Sequence, residues 1–349
     1  MKEGGREEES TNAAQMTSSM RTEHTCCCLG VLVGVSLIAA LVGVILMKDN
    51  TVEVTVLRQV HVLMSHGERT PNEHELSMLG TPPPDHVFIP YGAGALTNEG
   101  KMLTYEMGAL LRKRYNEFLG PHYIADNTMV IASDTNLSKM TALLISAGLW
   151  PPPPDQMWND TLMWQPVDYT YPPRNEDFED IKVPNPKWAK HVKRKLTDVA
   201  RLEYTMMFQN NLLRKLSGGA LLEQIIKEAE AKTLEPNSPA LIVRIGTPVS
   251  VAALLSACVA PPPRLPDPGA ALLFELHEKL PSTQGKKDQN ILTHEQKYGF
   301  KIYYWDDDSA EPRLMEVPGC NTLCPLDTFK ESIKYIVTLD YKKDCEIVP

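Results

Sequence analysis

The chain is poor in positive charge: 35 Lys and Arg stand against 44 Asp and Glu, a formal net charge of −9. Nucleic-acid binding rests on clustered basic residues, so no nucleic acid is expected as a partner. The same balance supplies no long-range field for drawing in free phosphate esters. No G-x-S-x-G elbow occurs, which excludes the serine hydrolases built on that turn. His61 and His74 stand without metal-ligand spacing, so neither a metal nor a cofactor is expected. There is no internal repeat and no low-complexity tract, which excludes solenoids and arrays. What remains is a chain of 349 residues, 43% apolar, long enough to bury a sizeable core in one large domain or two smaller ones.

Charge is missing altogether from Thr25 to Met47, a run of 23 residues bounded by His24 and Lys48. At 1.5 Å per residue such a helix spans a bilayer core of ~30 Å. A cleaved signal peptide begins with a short basic stretch, whereas here 24 polar, acidic residues come first, so an uncleaved signal-anchor is predicted at 25–47 behind a disordered tail at 1–24. Arg21 lies on one side and Lys48 and Arg58 on the other, so the positive-inside rule fixes no orientation. Two glycosylation sequons, at Asn136 and Asn159, favour an extracellular or luminal placement of the domain at 50–349, in the secretory or lysosomal pathway. Gly30 and Gly34 form a G-x-x-x-G, compatible with a homodimer, and Cys26, Cys27 and Cys28 lie at the membrane edge as candidates for palmitoylation. Cys320 and Cys324 are close enough for a small disulfide loop if the backbone turns.

Beyond the anchor, strands alternate with long helices, the pattern of an α/β sandwich. A β-branched run from Val52 to Met64 reads as a strand ending at Ser65-His66-Gly67-Glu68-Arg69-Thr70-Pro71, and 72–95 reads as loop. Thr97 is placed to cap a helix carrying Leu103, Met107, Leu110, Leu111, Tyr115 and Phe118 at helical spacing. A short strand from Thr128 to Ile131 precedes a helix from about Asn136 to Leu149, which must stop at the prolines 151–154. Trp164–Val167 reads as an edge strand, and 188–231 as helix broken by Ser217-Gly218-Gly219. Ala240–Val243, a helix from Val249 to Cys258, strands at Ala270–Leu276 and Gly299–Tyr304, and a last helix carrying Leu326, Phe329, Ile333 and Ile336 complete the order. In open α/β folds chemistry lies beyond the C-terminal ends of strands, which selects the loops 65–71, 132–136 and 244–248.

The segment Ser65–Pro71 resembles the signature of the histidine acid phosphatases, RHG-acidic-RTP. Further segments in the same order are similar to that family's motifs: Gly94–Gly100 to GQLTxxG, Leu111–Tyr115 to LRxRY, Gly148–Pro152 to GLFPP, Trp164–Val167 to WQPV, and Pro318-Gly319-Cys320 with Cys324-Pro325-Leu326 to PGC…CPL. The resemblance covers about residues 52–345. It implies a histidine-phosphatase-like sandwich: a central, mostly parallel sheet flanked by helices, with a helical cap at about 175–235 that is reduced relative to the family. It also implies a chemistry in which the first-loop histidine becomes phosphohistidine. Three arginines bind the phosphoryl oxygens, and a late His-Asp pair supplies a further contact and the acid for the leaving group.

Carried over position by position, the resemblance leaves that machinery incomplete. His66 keeps the nucleophile's place and Arg69 that of the second arginine, while Asp134 matches an aspartate of the RSTD-type loop. Ser65 stands at the first arginine, Ile131 at the RSTD arginine, Leu137 at that loop's second arginine, and Thr247 and Pro248 at the His-Asp pair. Losing one donor to transition-state charge costs ~2.7–4 kcal/mol, and losing general acid help roughly 10²–10⁴ in rate. The expectation is therefore a membrane-anchored, catalytically impaired phosphatase-like protein that binds an unidentified protein or phosphorylated ligand. The alternative is an active or weakly active acid phosphatase working through His66. Arg69 is open to an anion or to an ion pair with Glu68 or Asp134. The cysteine that would partner Cys345 is absent, leaving Cys345 free or paired with Cys258, itself readable as a plain buried residue.

Overall fold

The computed structural model describes residues 54–77, 88–171, 202–258, 266–280, 294–306, 311–337 and 343–344. The apolar run 25–47, the prolines 82–84, the part of the cap at 175–201, and Cys345 lie outside them. Among the described residues no helix is long and apolar enough to cross a membrane.

The first strand, β1 (Thr55–Ser65), is followed by helix α1 (Asn98–Arg114), strand β2 (Thr128–Ile131) and helix α2 (Asn136–Leu149). Helix α3 (Ala220–Leu234), strand β3 (Leu241–Gly246), helix α4 (Pro248–Cys258) and strands β4 (Ala271–Lys279), β5 (Tyr298–Trp305), β6 (Arg313–Met315) and β7 (Cys324–Pro325) come next, then helix α5 (Leu326–Ile333). The strands form one sheet in the order β2-β3-β1-β4-β5-β6, with β7 also on β5.

Among the described strands β2·β3 and β3·β1 pair in parallel, whereas β1·β4, β4·β5, β5·β6 and β5·β7 are antiparallel. The sheet is therefore mixed rather than mostly parallel. Its later strands β4, β5 and β6 are consecutive neighbours in the sheet, and antiparallel pairing needs no crossover helix.

Strand alternation sorts the core into two layers. Val60, Val62 and Met64 of β1, with Ala271 and Leu273 of β4, face Met107 and Leu111 of α1 and Ala142, Ile145 and Leu149 of α2. Leu63, with Leu272, Phe274 and Leu276, faces Leu222 and Ile225 of α3, Leu254 and Leu255 of α4, and Phe329 of α5. Each such Val, Leu, Ile, Met or Phe side chain, fully buried, contributes roughly 1.5–3 kcal/mol against being left in water. The helix starts follow their capping signals: Thr97 accepts from Gly100 N and Thr135 from Ser138 N.

Three local readings are corrected. Residues 72–95 are not all loop, because Asn72 and Glu75 cap each other's backbone amides around a short helix, Glu73–Ser77. Trp164–Val167 is not a strand; Gln165 donates to the Trp150 carbonyl instead, and only Thr170 bridges the edge of β2. Ser217-Gly218-Gly219 does not break the helix but forms a π-turn, Lys215–Gly219, leading into α3. A Cβ on Gly218 would lie 2.5 Å from the Ala253 carbonyl oxygen, so the glycine serves close packing against α4. The disulfide Cys320–Cys324 forms ahead of α5. Cys258 is buried and free, its thiol pushed up by burial and donating to the Leu254 carbonyl, and Cys345 lies outside the described residues.

Candidate active site

The parallel half of the sheet aligns three strand ends. Ser65 is in register with Gly246 and Ile131 with Arg244, so the loops after β1, β2 and β3 emerge side by side. His66, Arg69, Asp134, Thr247 and Pro248 all lie in these three loops.

The loop carrying His66 is clamped on both sides. Its carbonyls at His66 and Glu68 accept from Gly269 N at 3.0 Å and Thr97 N at 3.1 Å, and Thr70 N donates to the Ala95 carbonyl at 2.9 Å. The Thr70 hydroxyl donates to the Gly92 carbonyl at 2.7 Å. Gly67 and Gly100 let this loop press onto the first turn of α1: a Cβ on Gly100 would lie 1.9 Å from the Glu68 carbonyl oxygen, and one on Gly67 2.2 Å from that of Gly100.

His66 is half-buried, and its Nδ1 lies 2.9 Å from the Gly67 carbonyl oxygen. A carbonyl can only accept, so Nδ1 carries the proton. Burial, ahead of every other influence, pushes the imidazole below its ordinary value; the Gly67 carbonyl opposes this, Arg69 adds to it, and Glu75 opposes it. A neutral ring with Nδ1 protonated leaves Nε2 as the basic nitrogen.

Arg69 is neither free nor paired with Glu68 or Asp134. Its Nη1 and Nη2 donate to Oε2 and Oε1 of Glu75, both at 2.7 Å, and Nη1 also donates to the Thr70 carbonyl at 2.9 Å. Glu75 raises the guanidinium's affinity for its proton still further. The pairing follows from the helix start at Asn72, which brings a carboxylate back onto the loop.

The replaced positions serve the scaffold. Ser65 is fully buried and its hydroxyl donates to the Asp267 carbonyl at 3.2 Å. Ile131 is half-buried and Leu137 sits in the first turn of α2. Thr247 accepts from Ser250 N at 3.2 Å, with its own amide on the Ser250 hydroxyl, and Pro248 opens α4. A threonine cap followed by proline is the preferred helix start, so the pair at this position now specifies α4. Asp134 is ion-paired with Lys139 rather than with Arg69. Glu75, Ser250, Lys139 and Asp267 are not singled out by the sequence; the Asn72-x-x-Glu75 spacing of a capping box is the one signal that points to Glu75.

Asn136, the first residue of α2, is exposed, whereas Asn159 is half-buried and accepts from Thr161 N and Oγ1, both at 2.9 Å. Among the described residues no group of three or more His, Cys, Asp or Glu side chains could hold a metal ion.

A mixed sheet between helical layers, with a His-Gly-x-Arg loop at the end of its central strand, defines an α/β histidine phosphatase fold. Residues 56–217 match the family model described as histidine phosphatase superfamily (branch 2). It is similar to the venom acid phosphatase of Apis mellifera, 25% identical over 355 residues covering 83% of this chain and 88% of that protein. It is also similar to the prostatic acid phosphatase of Homo sapiens, 22% identical over 85% of this chain and 90% of that one. The lysosomal acid phosphatase of Rattus norvegicus is 22% identical over 89% and 85% of the two chains. Among solved structures, the apo phytase of Hafnia alvei superposes with a TM-score of 0.55 at 15% identity, covering 81% of this chain and 97% of that one. The phytase of Citrobacter braakii does so with 0.55 at 13%, covering 84% and 100%. These structural likenesses bear on the fold alone.

Proposed function

We propose that this is a membrane-anchored member of the superfamily, its domain luminal or extracellular, that serves a binding role toward an unidentified protein or phosphorylated ligand and turns phosphate esters over poorly. The observation that carries the reading is the fork of Arg69 on Glu75. The one cation kept at a phosphoryl-binding position is engaged by a carboxylate of its own chain, and Ser65, Ile131, Thr247 and Pro248 bring no second charge to the loops. Neutral donors cannot replace guanidinium forks on a phosphoryl group, and no acid stands at 247–248 to protonate an alkoxide. Placement beyond a membrane is supported by the apolar run 25–47, the two sequons and the Cys320–Cys324 disulfide, a bond that persists in oxidising compartments. Relatives named for venom and lysosome are consistent with it.

A second reading is favoured by His66 itself. Its protonated Nδ1 and basic Nε2 are the state a phosphohistidine mechanism needs, so a weakly active acid phosphatase is the alternative. Without an acid, such an enzyme is confined to esters whose leaving groups depart unaided.

The test is aryl phosphatase activity of the full chain, purified in detergent and assayed at acidic pH beside H66A. A folded protein without activity supports the binding role. Activity abolished in H66A supports the enzyme, and equal rates on alkyl and aryl phosphates would sink both accounts by implying an acid elsewhere in the chain.

A further inference from the structure

We infer that Asn136 carries an N-linked glycan standing over the mouth of the His66 site, so that the site admits phosphate-sized molecules and turns away phosphorylated macromolecules. The inference rests on the luminal or extracellular placement proposed above.

Asn136-Leu137-Ser138 is a glycosylation sequon, and the fold puts its asparagine at the rim of the site. Asn136 opens α2, directly after the loop that leaves β2. The end of β2 lies two strands from the end of β1, with β3 between them. At the usual strand spacing that is about 10 Å from the start of the His66 loop. A branched chain of several sugar rings is bulky enough to reach across that distance.

The fold leaves the acceptor free to be modified. Asn136 is exposed, and the bonds that start α2 bypass its side chain: Ser138 N donates to Thr135 Oγ1 at 3.1 Å, and Ser133 N to Ser138 Oγ at 2.8 Å. A sugar on the Asn136 carboxamide therefore displaces none of the bonds that start α2. The same bonds, with the Asp134–Lys139 ion pair, hold the first turn in place, so the glycan's point of attachment is fixed at the rim. A glycan so placed obstructs a folded protein surface but leaves room for a molecule the size of phosphate.

Asn159 supplies an internal comparison. It follows the far end of α2, a helix that carries the chain about 21 Å from its start at the site.

The full chain, expressed in a host that passes it through the secretory pathway, is treated with peptide N-glycosidase in heavy-oxygen water and mapped by peptide mass spectrometry. Heavy-oxygen aspartate at position 136 in most molecules is the expected result. Label at 159 but not at 136 overturns the inference alone, whereas label at neither overturns it together with the luminal placement. Access is then read with T247C, whose introduced thiol lies at the exposed end of β3 between the other two loops. It is labelled with N-ethylmaleimide and with a maleimide on a long polyethylene glycol chain, and quantified on its own peptide. With Asn136 intact the long reagent reacts roughly tenfold slower than in N136Q, while the small one reacts alike in both, as expected of a bulky screen. Equal rates for the long reagent in the two backgrounds overturn the screening role. If T247C fails to fold, V249C, at an exposed position on α4, carries the same measurement.

Discussion

Glu75 grips Arg69 with both carboxylate oxygens, each 2.7 Å from a separate guanidinium nitrogen. The carboxylate occupies two parallel guanidinium donors, and it is set there by a helix start that places Glu75 only six residues along the chain.

The substitution E75Q should release that fork. Arg69 is 23% exposed and Glu75 43% exposed, so solvent screens the pair and its strength is modest. Inorganic phosphate should bind up to about fivefold more tightly, the equivalent of ~1 kcal/mol, in titration calorimetry. R69Q should abolish that gain. Unchanged affinity in E75Q would mean that Arg69 does not face the ligand.

Restoring charge and acid should restore turnover. The combination S65R, T247H and P248D returns a guanidinium, an imidazole and a carboxyl to the positions that the resemblance assigns them. Aryl phosphatase rates should rise by roughly 10² or more over the parent chain. An aspartate at the first turn of α4 also suits the positive end of that helix. Rates unchanged in a protein that melts normally would show that the loops no longer hold the family's geometry.

Close approach of backbones should make G100A costly. Its Cβ would meet Glu68 O at 1.9 Å and Glu68 N at 2.7 Å, so the clash is with the backbone of the His66 loop and no side chain can turn aside. A loss of about 3 kcal/mol is expected, at the upper end for overpacking, and read as a lower denaturation midpoint. An unaffected midpoint would mean that the loop is not clamped as described.

Acidification should destabilise the domain through His61. Its Nε2 lies 2.9 Å from Gln59 Oε1, whose own amide nitrogen is tied to the Pro239 carbonyl, so Nε2 carries the proton. Nδ1 is then left to accept from Arg244 Nη1 at 3.4 Å, with Glu228 at 3.3 Å. Full burial pushes the ring below its ordinary value of 6.5; hydrogen bonding to Glu228 opposes this, and Arg244 adds to it. The unfolded chain therefore binds the proton more readily, and stability that is complete above pH 6.5 is lost as pH falls through that value toward the folded-state pKa. The melting temperature should drop from about pH 7 to about pH 5, and H61Q should show a smaller drop. Equal slopes in the two proteins would place the titration elsewhere.

Sequence and structure agree where local chemistry decides the outcome. The helix at about 136–149 is legible because four prolines follow Trp150, and the structure adds the Thr135 cap at its start. The strands at 55–65 and 241–246 follow their β-branched and apolar runs. The disagreements have tertiary causes. An apolar run does not state which way its neighbour points, so β4, β5 and β6 cannot be read as antiparallel from the sequence. Gly218 marks a break in a sequence but a close contact in a packed helix pair.

The sequence by itself carried the family resemblance and the order of elements, because motifs, caps and periodicity are local properties of the chain. Only the tertiary structure decided what the surviving groups do. That Arg69 is spent on Glu75, Ser65 on the Asp267 carbonyl and Thr247 on capping α4 depends on side chains meeting in space. A charged or polar group is satisfied by whichever partner the folded backbone brings within hydrogen-bond reach, and spacing along the chain does not name that partner.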